Sequence, residues 1–252
     1  MTDTHAHIDL CEDPAAVLER AAGLRALLTL GTDLEHSRAS LQLAEKYPNV
    51  YAGVGQHPTE AGSFDAKTAA ALRELAAHPR VRASGETGID YYWDAASRAD
   101  QLRVLDFQME LAEEFGLALV FHVRSKQGSD AAERDLQAWL ELNRPKRFVL
   151  HAFGGDMQLA AVALDLGGYV SFAGNLTYKK NEHLRRAAAE LPAERLLVET
   201  DSPFMPPVPM RGKKNEPAFV RYTLAALAEA RGLEFAAAEK LTDENAQRLF
   251  QW

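Results

Sequence analysis

Eight short β-rich runs, each followed by a longer stretch with helical periodicity, constrain this chain more than any other feature. The runs fall at Thr4–Leu10, Ala26–Gly31, Val50–Gly55, Val81–Glu86, Leu117–His122, Arg147–His151, Tyr169–Phe172 and Leu196–Asp201. Amphipathic stretches lie between them, among them Leu34–Lys46, Asp65–Ala77, Ala99–Phe115, Asp130–Leu142, Met157–Leu166 and Glu182–Leu191. Ala218–Arg231 and Phe235–Phe250 follow the last run and are helical again. Such alternation favours a parallel sheet, because parallel neighbours need a crossover and a helix supplies it. Eight repeats in 252 residues point to a closed (β/α)8 TIM barrel, a single α/β domain over residues 1–252. An open doubly wound sheet would want a glycine-rich loop after its first strand, and His5-Ala6-His7 stands there instead. No internal repeat, low-complexity tract or linker divides the chain. Its most loop-like segment is Pro203–Pro217, with five prolines.

A chain of this length buries a core without help from disulfides or a structural metal. Cys11 is the only cysteine, which rules out an intrachain disulfide and suits a reducing interior. No apolar run is long enough for a membrane span, and the N-terminus lacks a basic region followed by an apolar one. The expectation is therefore a soluble cytoplasmic protein with no membrane partner, acting as a monomer. A net charge of −8 argues against indiscriminate binding along a duplex, which needs a broad basic surface. It leaves room for a nucleic-acid substrate held in a small basic pocket.

Ionisable residues gather at the ends of the runs. In a strand, residues i and i+2 share a face, so His5 and His7 aim at one point, as half of a metal site does. Glu86, His122, His151 and Asp201 each close an apolar run of their own. In a barrel these C-terminal strand ends surround one shallow cavity where functional groups read as catalytic. Taken singly, each has a plain alternative: a helix cap for the acids, a hydrogen-bonded interior residue for the histidines. Burying six such groups around one rim without a cation would be costly. A metal centre is the economical explanation. Six ligands with one shared carboxylate suffice for two divalent cations, which activate water and stabilise attacking and leaving oxygens. The mixed nitrogen and oxygen set suits Mn²⁺, Zn²⁺, Co²⁺ or Fe²⁺, with Mg²⁺ admitted if waters complete its shell. Cys11 is expected to be a packing residue, and no Gly-x-Ser-x-Gly elbow supplies a serine nucleophile.

These residues resemble a known family. Asp3-Thr4-His5-Ala6-His7-Ile8-Asp9, Gly55-Gln56-His57-Pro58 and Gly85-Glu86-Thr87-Gly88-Ile89-Asp90-Tyr91 look like the ordered signature of TatD-type metal-dependent deoxyribonucleases of the amidohydrolase superfamily. Phe121-His122-Val123-Arg124, His151-Ala152-Phe153-Gly154-Gly155, Glu199-Thr200-Asp201-Ser202-Pro203 and Arg211-Gly212-Lys213-Lys214-Asn215-Glu216-Pro217 continue the series in order over the whole chain. The resemblance implies a TIM barrel that hydrolyses phosphodiester bonds, typically by 3′→5′ exonuclease action on single-stranded DNA ends in a DNA-repair setting. It implies that His5 and His7 hold one metal with Glu86 and Asp201, and that Glu86 bridges to a second held by His122 and His151. Two residues depart from the family's usual His-Cys-Phe-Ser-Gly: Ala152 and Gly154 replace the thiol and the hydroxyl. The stretch Ser125–Ser129 also differs from the more common acidic continuation. Both changes bear on groups that support ligands or substrate rather than on a ligand itself. The bridge is Glu86 and not a lysine, unlike hydrolases of the superfamily whose metals share a carboxylated lysine.

Substrate contacts are expected from Arg124, Arg211 and Lys213, all placed in loops after strands, where a local basic rim suits an end-on grip on a few phosphates. Lys179, Lys180 and Lys214 share that placement, with ordinary surface charge as their alternative. Tyr91, Tyr92 and Trp93 follow the Glu86 run and are either base platforms or core. His57 is either a phosphate ligand or a structural hydrogen-bond donor, and the resemblance favours the first. His36, His78 and His183 are expected to be exposed. Asp201 is the expected proton acceptor from the attacking water. Three functions stay open: a nuclease; an ester or amide hydrolase on the same centre, such as a D-aminoacyl-tRNA deacylase; and a non-catalytic barrel that binds a partner at its rim.

Overall fold

The computed structural model describes residues 1–252. Its strands are β1 (Thr2–Ala6), β2 (Ala26–Leu30), β3 (Val50–Val54), β4 (Val81–Asp90), β5 (Ala118–Arg124), β6 (Phe148–Leu150), β7 (Tyr169–Phe172) and β8 (Leu196–Val198). They form one sheet in sequence order, with each strand from β1 to β7 pairing parallel to the next. Nine helices cover it: α1 (Pro14–Arg20), α2 (Leu34–Lys46), α3 (Ala66–Ala76), α4 (Arg98–Phe115), α5 (Ala131–Asn143), α6 (Met157–Asp165), α7 (Glu182–Glu190), α8 (Val220–Arg231) and α9 (Phe235–Phe250). This is the (β/α)8 TIM barrel expected from the alternation. No helix is long and apolar enough to cross a membrane.

Local chemistry starts and stops the helices. Asp13, Asp33, Asp65, Ser97 and Asp156 accept backbone N–H bonds at the N-termini of α1, α2, α3, α4 and α6. Gly116 and Gly232 end α4 and α8 in the left-handed conformation. Helix α1 was not anticipated, because its seven residues are too few for a periodic signal. Only the Asp13-Pro14 start could have announced it.

Alternation along the strands divides the core in two. Leu28, Leu30, Ala83, Ala118, Val120, Val149, Tyr169 and Leu197 pack together with Ala246, Leu249 and Phe250 of α9. The intervening residues, such as Leu27, Leu119, Phe121, Leu150, Val170, Leu196 and Val198, pack in the larger cluster that includes the helices. The first set fills the barrel. His122 continues the parity of Ala118 and Val120, and His151 that of Val149, so both turn inward above the apolar filling.

Three strand ends differ from expectation in ways that matter to the site. β1 stops at Ala6, and a 3₁₀ turn takes Ile8–Leu10. There the backbone changes partner: His7 N donates to Ser202 O at 2.7 Å and Asp201 N to His5 O at 2.9 Å. β8 stops at Val198, so Asp201 lies beyond it, at a φ of 55°. Together with a parallel bridge between Ala6 and Ser202, these bonds close the barrel between its first and last strands. β4 continues past Glu86 to Asp90, with a register shift between Ser84 and Thr87. Strict alternation from the inward Ala83 would turn Glu86 outward; the shift reverses that and brings it into the mouth.

Candidate metal centre

Glu86 is the hub of the site. Its carboxylate is 3% exposed as a residue, and its two oxygens face different partners. Oε1 is 2.8 Å from His122 Nδ1 and 2.8 Å from His151 Nε2. Oε2 is 3.2 Å from His7 Nε2 and 3.4 Å from His5 Nε2. Asp201 Oδ1 closes the second side, 3.5 Å from each of the same two nitrogens. The structure therefore brings together His5, His7, Glu86, His122, His151 and Asp201, contributed by β1, β4, β5 and the segments just beyond β1, β6 and β8.

The outward nitrogens of these rings are mostly committed. His7 Nδ1 donates to Leu30 O at 2.9 Å, which leaves Nε2 to face the cluster. His122 Nε2 meets Asp90 Oδ2 at 2.8 Å, so Nδ1 faces Glu86. His151 Nδ1 meets Glu199 Oε1 at 3.2 Å, and the same oxygen accepts from Ala152 N at 2.8 Å. Such outer partners fix which nitrogen can bind a metal. Asp90 and Glu199 escaped the sequence reading. Spacing could have found both: Asp90 is four residues after Glu86, and Glu199 is two before Asp201 in the expected run Leu196–Asp201, so strand alternation would place each on a face with an identified carboxylate.

His57 joins the cluster from the loop after β3. Its Nε2 is 3.6 Å from Glu86 Oε1, and its ring centroid is 4.5 Å from that of His122. Thr59 N donates to His57 Nδ1 at 3.2 Å, so the neutral ring carries its proton on Nε2. Arg124 is the last residue of β5 rather than part of a loop, exposed at the same end of the barrel, with its guanidinium 3.8 Å from the Tyr92 ring centroid. Arg211 lies 4.3 Å from the Tyr178 ring centroid in the proline-rich loop. Lys213, Lys179 and Lys180 are exposed, while Lys214 pairs with Glu12. Tyr91 is no platform: it packs on the core and its hydroxyl donates to Asp135. Tyr92 and Trp93 are exposed. His183 is exposed as expected, but His36 and His78 are half-buried, and His36 Nδ1 lies 2.5 Å from Asp9 Oδ2. Cys11 is buried, as a packing residue should be.

The electrostatics are those of a site built around positive charge. Burial would push the Glu86 carboxyl up, but the surrounding histidines hold it well below its usual range. Burial opposes protonation of His7 too, yet the Asp201 and Glu86 carboxylates hold it at about 10. His151 is raised in the same way, against burial, by Glu86 and Glu199. His5 is lowered, first by burial and then by His151. Its Nδ1 and Glu199 Oε2 are buried without hydrogen-bond partners. Donor atoms of His5, His7 and Glu86 lie within 4.8 Å of one another, as do those of His57, Glu86 and His122. Two nitrogen and oxygen clusters sharing one carboxylate fit divalent transition-metal cations, and the protons on His7 and His151 stand where such cations would neutralise the site.

The same residues locate the chain among known proteins. The sequence profile described as TatD related DNase matches residues 2–251. This chain belongs to that family. It is 34% identical to the metal-dependent hydrolase YabD of Bacillus subtilis, over 99% of this chain and 98% of YabD. It is also 34% identical to a protein of Escherichia fergusonii named 3′-5′ ssDNA/RNA exonuclease TatD, over 91% of this chain and 89% of that one. Its fold matches the crystal structure of YJJV, a TatD homologue from Escherichia coli, with a TM-score of 0.91 at 30% identity, covering 100% of this chain and 98% of that one. The chain is thus a metal-dependent hydrolase of the TatD type.

Proposed function

We propose that this hydrolase cleaves phosphodiester bonds at the ends of single-stranded DNA, working 3′→5′, with two divalent cations in the mouth of the barrel. The observation that carries the reading is the divided geometry of Glu86, one oxygen toward His122 and His151 and the other toward His5 and His7. In this reading Glu86 would be shared between the two cations, His5, His7 and Asp201 would help hold one, and His122 and His151 the other. Mg²⁺, Mn²⁺ and Zn²⁺ all suit the donors. The cations, when bound, supply Lewis acidity and lower the pKa of water. Asp201 then orients the attacking water and accepts its proton, a role its depressed pKa permits because it stays ionised near neutrality. Burial would raise that carboxyl, and His7 and His5 overcome it.

His57 donates from Nε2 to a phosphoryl oxygen, and Arg124, Arg211 and Lys213 hold the phosphates that follow. The exonuclease name of the Escherichia fergusonii relative supports this substrate class. The ester or amide alternative, such as deacylation of a D-aminoacyl-tRNA, would use the same centre. Metal-supplemented digestion of end-labelled single- and double-stranded oligonucleotides, beside a deacylation assay, tests the two together. The expected result is stepwise loss of 3′ nucleotides from single strands. Deacylation without nucleotide release would overturn the reading.

A further inference from the structure

Phe204 is an exposed phenyl ring on a backbone held from both sides. Its amide donates to Asp201 O at 2.8 Å, and its carbonyl accepts from Asn215 Nδ2 at 2.7 Å. Asn215 is itself buried, and the same side-chain amide donates to Thr200 O at 2.8 Å. The loop is braced again at Gly174, where an added Cβ would come within 2.1 Å of Met205 O. A ring carried on so firmly held a backbone and still half exposed contributes little to the core, so its position is the informative fact. Its centroid is 6.1 Å from that of His7, which faces Glu86 and Asp201.

The other aromatic rings at this end are differently employed. Arg124 lies over Tyr92 and Arg211 over Tyr178, so each of those rings already has a cation on its face. None lies over Phe204. Tyr92 and Trp93 follow β4 while Phe204 follows β8, half a turn away around an eight-stranded ring.

We infer that Phe204 is a stacking platform for the unpaired 3′-terminal nucleobase of the strand, seating the last phosphodiester against the metal centre. The inference rests on the exonuclease reading and adds a base-recognition element to it. Every base has a π face, so such a platform is indifferent to sequence. A base still paired in a duplex cannot reach it without unstacking, so the platform selects frayed or single-stranded ends.

The test compares two single-stranded oligonucleotides, one with ordinary 3′ nucleotides and one whose last two positions are abasic tetrahydrofuran analogues. F204A should raise KM on the ordinary strand roughly 10-fold or more, in keeping with the loss of one base–aromatic contact. F204L should behave like F204A, and F204W should restore binding. On the abasic-ended strand F204A and the wild-type chain should converge, because there is no base to lose. Metal content and melting temperature, measured for each variant, separate a lost platform from a damaged centre. Equal loss on both strands, or no loss on the ordinary one, overturns the inference while leaving the exonuclease reading intact. Failure of the wild-type chain to cleave either strand overturns both.

Discussion

At the scale of residues, Glu86 and Asp201 are both carboxylates near the same two imidazoles, yet they should fail differently. Glu86 reaches both pairs of histidines, so Glu86→Ala should release both cations at once, whereas His151→Ala should mainly weaken one. Metal analysis of the two purified variants decides this, and two retained metals in Glu86→Ala would refute the bridge. Asp201 sits on one side only. Its φ of 55° lies in the left-handed region, which asparagine tolerates well, so Asp201→Asn keeps backbone, shape and an oxygen donor. It removes the proposed proton acceptor. Single-turnover cleavage should slow by roughly 10²–10⁴-fold with metal retained, the usual range for general acid–base catalysis. An unchanged rate with intact metals would remove Asp201 from proton transfer, and loss of metal would reduce it to a ligand.

At the scale of elements, periodicity made the helices α2 and α9 legible to the residue, and the strands nearly so. What stayed hidden was where strands stop being strands. The bends that aim Glu86 and Asp201 depend on register shifts and on backbone partners from elements far away in sequence, which no local pattern encodes. Glu86, His122, His151 and Asp201 were legible because each ended an apolar run, and His5 and His7 because they share one face of the first run. Asp90 and Glu199 do not close such runs, and only their spacing from Glu86 and Asp201 could have pointed to them. Gly88 shows how tightly β4 and β5 approach here: its φ is +137°, and a Cβ would fall 2.0 Å from His122 O. Gly88→Ala should therefore cost at least about 1–3 kcal/mol, the usual range for a strained backbone position. The melting temperature should drop by several degrees and metal binding at His122 should weaken. An unchanged melting curve would mean that the strands part there freely.

At the scale of the whole molecule, the cluster links protons, metal and stability. His7 rises from its ordinary 6.5 to about 10 in the metal-free chain. Its protonated form stabilises that fold fully below about 6.5, and the contribution disappears as pH climbs through about 10. Glu86 and Asp201 run the other way, contributing above the ordinary carboxylate range and losing that contribution in acid. Metal ligation needs neutral imidazoles, so cation binding at pH 7 should release protons and tighten as pH rises from 6 to 8. Calorimetry in buffers of different ionisation enthalpy measures the release, and pH-independent affinity would contradict it. Exhaustive chelation should abolish turnover, and full activity with metal content near zero would refute the metal dependence of this chain. The closure of the barrel carries one more consequence. Asp3 accepts from Thr200 N at 2.9 Å and from its hydroxyl at 2.5 Å, a contact across 197 positions of sequence, beside the bonds joining His5 and His7 to Asp201 and Ser202. The clasp and the candidate metal centre are one object. A nascent chain still missing its eighth strand lacks both Asp201 and the backbone partners of His5 and His7, so the hydrolase site is assembled only when the two ends have met.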